Sequence, residues 1–326
     1  MIISRTPLRL SFIGGGSDLA VYYQRSPGSV VSTALNMYVY ITVNKKFDDL
    51  IRVSYSKTEM VSSVDEIEHN IIREALKIVG IEKGVDIVYM GDIPLGSAGV
   101  GLGSSSSLAV GVLNALYAYK GKHVSAEHLA QKACEIEINA LQQPIGKQDQ
   151  YAAAYGGFNF MQFNKDESVF VDPVICDRET RQKLNRKLLL FYTGIMRDSS
   201  KILNEQRASI DDNRIILDAM VELSKVMRDA IINRELESIG HFLHESWEYK
   251  KKLATKITNG PINDYYDRAR KAGAIGGKIL GAGGGGFLLF YCDEARQDNV
   301  REALIELKEV PFLFEPQGSK IIYISD

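Results

Sequence analysis

The segment PLGSAGVGLGSSSSLAVGVLNAL, from Pro94 to Leu116, constrains this chain more than any other. Glycines recur at Gly96, Gly99, Gly101 and Gly103, serines fill positions 104–107, and Leu108, Val112, Ala115 and Leu116 then fall at helical spacing. The backbone must bend freely up to Gly103 and be helical just beyond it, so a row of hydroxyls sits on the first turn of a helix. The run Val85 to Met90 before the glycines reads as a strand. At such a helix start the unpaired N–H groups and the dipole favour an anion, and glycines let the backbone close around it. Serine hydroxyls add donors or bind a Mg²⁺ that accompanies a polyphosphate. A nucleotide phosphate is the natural occupant, and a surface loop with a serine N-cap is the competing reading. No Gly-Lys-[Ser/Thr] closes the glycines, so this is not a Walker A loop.

At 326 residues the chain is long enough for one large or two closely packed domains. Its net charge of −2 gives no global footprint for nucleic acid or an anionic membrane, so a small-molecule partner is expected. Cys134, Cys176 and Cys292 are widely spaced, lack metal-ligand pairing and fit a reducing compartment. The start MIISRTPLRLSF has no signal-peptide core and no apolar run reaches bilayer length, which predicts a cytoplasmic location.

Strand-like runs cover Arg5 to Ile13, Val39 to Asn44, Ile51 to Tyr55, Val85 to Met90, Phe158 to Phe163 and Lys187 to Thr193. Helical patterns cover Val64 to Val79, Ser105 to Tyr119, Ala126 to Gln142, Ser199 to Asn233 with a break, Ser238 to Thr255 and Asn263 to Ala272. The order is α+β, not a repeating βα wheel. The charged, turn-rich section Asn164 to Lys187 separates two halves, taken as 1–170 and 171–326.

Three further motifs carry chemistry. In RTPLRLSFIGGGSDL, alternation sends Leu8, Leu10 and Phe12 to one face and Arg9 and Ser11 to the other, before Gly14 to Gly16 turn the chain towards Asp18. Asp18 either caps the next segment or accepts from polyol hydroxyls. In CEIEINALQQPIGKQDQYAAAYGG, helical spacing puts Glu137 on the face of Ala130, Ala133, Ala140 and Leu141, so this carboxylate needs a partner, an arginine or a metal. Asp149 follows Pro144 and Gly146 in a loop or at a new helix start. Finally, GKILGAGGGGFLLFY contains Gly281-x-Gly283-x-x-Gly286, nominally a dinucleotide fingerprint. That fingerprint must follow a strand and open a helix, whereas FLLFY reads as a strand after it. A glycine-rich turn between helix and strand, or a close approach to a ligand, fits better.

Together these motifs resemble the GHMP kinases, the superfamily of galactokinase, homoserine kinase, mevalonate kinase and phosphomevalonate kinase. The likeness rests on the Arg-containing strand with its Gly turn and Asp, the P-x-G-x-G-x-G-L-x-S-S-S stretch, G-x-x-D-Q and the late K-x-x-G-x-G-G-G, which span Arg5 to Phe287. The resemblance implies an N-terminal domain of the ribosomal S5 domain 2-like type and a C-terminal ferredoxin-like domain, with ATP and acceptor in the cleft between them. It implies that Pro94, Gly96, Gly99, Gly101, Leu102, Gly103, Ser104, Ser105, Ser106 and Ser107 wrap the ATP phosphates. Mg²⁺ would be held by Glu137 and Ser107, with Ser106 as the alternative, because Gly103 stands where many members have serine and the motif is longer. Asp149 and Arg9 would face the acceptor hydroxyl.

Galactokinases carry Gly-Glu-His-x-Asp in the first motif; here Gly15 and Gly16 replace the Glu-His pair and Asp18 keeps the acidic position. The pattern is closest to members that phosphorylate a heptose phosphate at its anomeric hydroxyl, in nucleotide-heptose synthesis for surface polysaccharide. That implies acceptor contacts from Gly15, Gly16, Ser17, Asp18, Gly283 and Gly284, and a basic anchor for the distal phosphate from Lys147 or from Arg197 with Lys201. A free-sugar 1-kinase of the fucokinase type and a non-catalytic binding homologue are the alternatives.

Overall fold

The computed structural model describes residues 1–93, 101–196 and 199–325. Its frame starts with two long antiparallel strands, β1 (Ile2–Ile13) and β2 (Gly28–Lys45), linked through the Gly14–Gly16 turn and the short helix α1 (Ala20–Tyr23). The sequence pattern reveals only the second half of β2. Gly28–Leu35 is buried at every position, and a strand covered on both faces loses the alternation that would betray it.

β2 changes partner along its length. To its outer side lie β3 (Ile51–Ser54), β4 (Thr58–Val61) and β5 (Val85–Gly91), with β5 pairing Val39–Lys45; β6 (Phe158–Phe163) pairs Gly28–Thr33 and is followed by β7 (Val169–Pro173). The β1–β2 register shifts between Pro7, opposite Tyr38, and Leu8, opposite Leu35, near this change of partner, so the two extra residues Asn36 and Met37 lie on β2 across from the stretch of β1 just ahead of Arg9.

The first half also contains α2 (Asn70–Val79), α3 (Ser104–Tyr119), α4 (Ala126–Cys134) and α5 (Gln148–Tyr155). α3 packs directly on β1 and β2: a Cβ at Gly111 would stand 2.8 Å from Thr6 Oγ1, and Ser4 Oγ donates to the Gly111 carbonyl at 2.8 Å. That close approach fixes where the serine-bearing end of α3 emerges.

The second half has a smaller antiparallel sheet of β8 (Leu188–Tyr192), β9 (Ala274–Ile279), β10 (Phe287–Cys292) and β11 (Lys308–Glu309), ordered β11-β8-β10-β9. With it go α6 (Arg178–Arg186), α7 (Ser199–Ala208), α8 (Arg214–Ile232), α9 (Ile239–Lys250), α10 (Gly260–Ala272) and α11 (Gln297–Ala303). The glycine turn at 281–286 joins two strands, β9 and β10, not a helix and a strand as its pattern suggests. The last strand, β12 (Lys320–Ile324), returns to pair with β1 and completes an 8-stranded sheet.

Two apolar clusters form the core. One holds Leu8, Leu10, Phe12, Leu113 and Leu116; the other holds Leu189, Leu217, Trp247, Tyr266 and Phe290 around the smaller sheet.

Candidate active site

Arg9 and Asp149 stand at the centre of a cleft. Arg9, on β1 just past the register shift, has only 4% of its side chain exposed; Asp149, in the first turn of α5, shows 24%. Arg9 Nε and Nη2 donate to the two Asp149 carboxylate oxygens at 2.7 and 2.7 Å, a bidentate charge-assisted pair. The remaining arm, Nη1, donates to the Gly101 carbonyl at 2.6 Å, and the Arg9 backbone N–H donates to the Leu102 carbonyl at 3.0 Å. One residue thus ties the carboxylate to the end of the glycine loop. The face carrying Arg9 and Ser11 is buried, at 3% and 5% exposure, with Gly101, Gly103 and Asp149 against Arg9.

Two lobes of the cleft meet at this pair and share Arg9, Ile145, Asp149, Leu203, Gly281 and Ala282. One lobe is lined by Gly101, Gly103, Ser104, Ser105, Ser106 and Glu137. Gly103 has φ +72, and a Cβ there would meet Arg9 Cγ at 3.0 Å and Asp149 Oδ2 at 3.3 Å, so glycine serves both the left-handed turn and the space beside the pair.

Glu137 is fully buried, but not on the regular helix expected over Ala126–Gln142. α4 ends at Cys134 and a π-helical turn, Glu135–Ala140, follows. The wider turn rotates the face, so that Glu137 remains buried with Ala130 and Ala133 while Ala140 is exposed. Ser105 Oγ and Ser106 Oγ each donate to Glu137 at 2.6 Å, and Gln150 Nε2 donates at 2.7 Å. Burial drives the Glu137 pKa up, those three hydrogen bonds pull it down, and the charge of Asp149 adds to the rise.

No cationic side chain pairs with Glu137 among the described residues, and Gln150 Oε1 is buried without a partner. A carboxylate flanked by hydroxyls is a hard oxygen donor set that fits Mg²⁺. No cluster of three or more His, Cys, Asp or Glu suited to a metal occurs among the described residues, so such an ion would take its other ligands from phosphate oxygens and water. Ser107, the favoured serine on sequence grounds, turns the other way: it is fully buried and its hydroxyl donates to the Pro7 carbonyl at 2.8 Å. The alternative, Ser106, is beside Glu137.

The other lobe is lined by Ser11, Gly15, Gly16, Asp18, Gln148, Gln206, Lys250 and Lys278. Asp18 braces the backbone around it, while the N-cap of the next segment, α1, is Leu19. The Asp18 carboxylate accepts from the Gly16 N–H at 2.9 Å and the Gln148 N–H at 3.3 Å, fixing the glycine turn and the start of α5, and it also borders the lobe. Burial raises its pKa, Asp149 adds to this, and the backbone N–H bonds oppose it. Ser11 Oγ and Gln148 Oε1, in two residues that line this lobe, are buried polar atoms without a hydrogen-bond partner among the described residues.

Several expected acceptor contacts lie elsewhere. Ser17 is fully buried beneath the turn, donating to the Gly14 carbonyl at 2.7 Å and accepting from the Ser29 N–H at 3.0 Å. Lys147 pairs with Glu167 and lies 4.8 Å from the Tyr23 ring, outside both lobes. Gly281 and Ala282 reach the cleft, but Gly283 and Gly284 pack on Ile257; the Gly284 N–H donates to its carbonyl at 2.7 Å. Pro94, Gly96, Gly99 and Arg197 fall outside the described residues. Sequence reading missed Lys250, Lys278, Gln148 and Gln206. Only Lys278 carried a signal, as the first residue of the late glycine motif.

Residues 66–157 match the GHMP kinases N terminal domain and residues 227–309 match the GHMP kinases C terminal domain. A D-glycero-alpha-D-manno-heptose 7-phosphate kinase of Campylobacter jejuni is 29% identical over 320 residues, which cover 93% of this chain and 93% of that one. A crystal structure of a D-glycero-D-manno-heptose 1-phosphate kinase from Bacteroides thetaiotaomicron aligns with a TM-score of 0.82 at 26% identity, over 100% of each chain. Lactococcus lactis galactokinase, solved with galactose, shares the fold at a TM-score of 0.77 and 18% identity, over 98% of this chain and 94% of that one. The mixed α and β architecture is the expected GHMP kinase fold. No described helix is long and apolar enough to cross a membrane. The two domain matches follow each other along one chain in family order, and the chain belongs to the GHMP kinases, as an ATP-dependent phosphotransferase.

Proposed function

We propose that this chain transfers the γ-phosphoryl group of ATP to the anomeric hydroxyl of D-glycero-D-manno-heptose 7-phosphate, giving the 1,7-bisphosphate. The observation that carries the reading is the Arg9–Asp149 pair at the junction of a lobe headed by α3 serines and a separate polar lobe. The heptose 7-phosphate kinase of C. jejuni supports the substrate class. Gly15, which borders the acceptor lobe without a side chain, supports a bulky sugar, whereas the space beside Gly16 is taken by Gln206.

Phosphoryl transfer has a loose transition state, so alignment and charge neutralisation dominate catalysis. Asp149, held by two hydrogen bonds from Arg9, orients the anomeric hydroxyl and receives its proton as the oxygen–phosphorus bond forms and ADP departs. Arg9 offsets charge on the moving group and, through the Gly101 carbonyl, keeps the loop in register with the acceptor. Ser104, Ser105 and the N–H groups opening α3 receive the phosphates of ATP. Glu137 and Ser106 would hold Mg²⁺, which when bound neutralises phosphate charge. In this reading residues 1–170 form the ATP-binding domain and 171–326 close the cleft, in a cytoplasmic enzyme supplying heptose for surface polysaccharide.

A panel of phosphorylated and free sugars with ATP tests the reading through ADP release. We expect kcat/KM for the heptose 7-phosphate to exceed that for galactose, fucose and unphosphorylated heptose by roughly tenfold or more. Fucose or another free sugar as the best acceptor would overturn the substrate, and absence of turnover with every acceptor would leave a binding homologue.

A further inference from the structure

We propose that Lys278, with Lys250 beside it, binds the phosphate that the acceptor sugar already carries, making the acceptor lobe selective for a sugar monophosphate over the free sugar. The inference rests on the sugar-kinase reading above and replaces Lys147 as the distal anchor.

Lys278 projects from β9 across to the end of β1, where its Nζ donates to the Phe12 carbonyl at 2.7 Å. It is 2% exposed, and that carbonyl is its only hydrogen-bond acceptor among the described residues. An ammonium has three donors, so donors remain where the side chain lines the lobe. It forms no ion pair with a described carboxylate. A buried cation in that position is poorly compensated until an anion arrives.

Lys250, at the end of α9, brings a second amine to the same lobe, its Nζ donating to the carbonyls of Ile279 and Gly281. The Ser11 hydroxyl, one residue before Phe12, is a buried polar group without a partner among the described residues. Lys250, Lys278 and Ser11 line the acceptor lobe and not the lobe at the head of α3, so their donors are placed for the acceptor and not for ATP. Phosphate, with several charged oxygens, suits two ammonium groups and a hydroxyl better than a sugar hydroxyl does.

Among the described residues, the other charged groups lining the lobe are Arg9, Asp18 and Asp149. Burial, and secondarily the charge of Arg9, pushes the Lys278 pKa down to about 7. The free enzyme therefore loses this cation as pH rises through and above neutrality. A sugar phosphate, with a second pKa of about 6, has by then completed its own ionisation.

The test compares D-glycero-D-manno-heptose 7-phosphate with the free heptose on the unaltered enzyme, Lys278→Met, Lys250→Met and Lys147→Met, with melting temperatures as a folding control. We expect Lys278→Met to raise KM for the sugar phosphate roughly 10- to 100-fold, the size of lost charged hydrogen bonds. Lys250→Met should raise it less, while KM for ATP and the free-heptose kinetics stay unchanged. In the unaltered enzyme, the ratio of kcat/KM for phosphorylated over free heptose should fall as pH rises above about 7, and Lys278→Met should flatten that dependence. Equal losses on both sugars, or a retained preference in Lys278→Met, overturn the anchor. If the unaltered enzyme shows no preference for the phosphorylated sugar, the substrate reading itself fails. The pH ratio needs no variant, so it decides the matter even if Lys278→Met does not fold.

Discussion

At the head of α3 glycines free the backbone to present side chains, whereas at 281–286 they let neighbouring backbones come into contact. A Cβ on Gly103 would press on the Arg9–Asp149 pair, whereas a Cβ on Gly283, at φ +104, would stand 2.7 Å from the Ile257 carbonyl oxygen. Asn259 Nδ2 also donates to the Gly284 carbonyl at 3.2 Å, so that part of the second turn is pinned from outside the cleft. Glycine enrichment marks close approach in both. What approaches decides whether the turn binds or braces, and the second turn contributes to the cleft mainly through Gly281, Ala282 and the flanking Lys278.

The largest effect should come from the pair at the first turn. Asp149→Asn keeps the shape and removes the base, and kcat should fall of order 10²-fold or more with KM for ATP little changed, as steady-state kinetics will read. Near-normal kcat would remove Asp149 from the mechanism.

Next come the groups on Glu137. Glu137→Gln should shift the Mg²⁺ dependence of activity about tenfold or more, and Ser106→Ala by less. Ser107→Ala should leave the Mg²⁺ titration alone and cost about 1 kcal/mol of stability through the lost bond to Pro7. A shift with Ser107→Ala and none with Ser106→Ala would reverse the serine assignment.

The glycines themselves sharpen the contrast. Gly103→Ala and Gly283→Ala both force alanine into a left-handed conformation, at a cost of about 1–3 kcal/mol in denaturant unfolding. Only Gly103→Ala should also lower kcat among the folded molecules. Matching kinetic profiles for the two variants would break the distinction between a binding and a bracing turn.

The smallest effect is expected at Lys147, outside the cleft. Lys147→Met should leave acceptor KM within about twofold and stability within about 1 kcal/mol, since its pair with Glu167 is at the surface.

Most elements with a clear period were legible in the sequence: α3, β5, β6 and β10 stand where spacing put them, as does the coming together of Arg9 with Asp149 implied by the family motifs. The failures have physical causes. The buried half of β2 loses alternation, and the π turn after Cys134 shifts a face that a 3.6-residue period cannot follow. In a row of adjacent serines, a small change in helix phase decides which one meets Glu137, and sequence alone does not set that phase. Lys250 and Lys278 come together across two elements, α9 and β9, and only tertiary packing places both in one lobe.

The proposed reaction is anomeric phosphorylation of an already phosphorylated heptose, and the related kinases differ by name on which position carries the first phosphate. Phosphorus NMR of the product formed from D-glycero-D-manno-heptose 7-phosphate and ATP addresses this directly. We expect a second sugar-phosphate resonance coupled to the anomeric proton, with the original 7-phosphate signal retained. A product with its new phosphate at any other carbon, or no product from the 7-phosphate under conditions where heptose 1-phosphate is consumed, would contradict it.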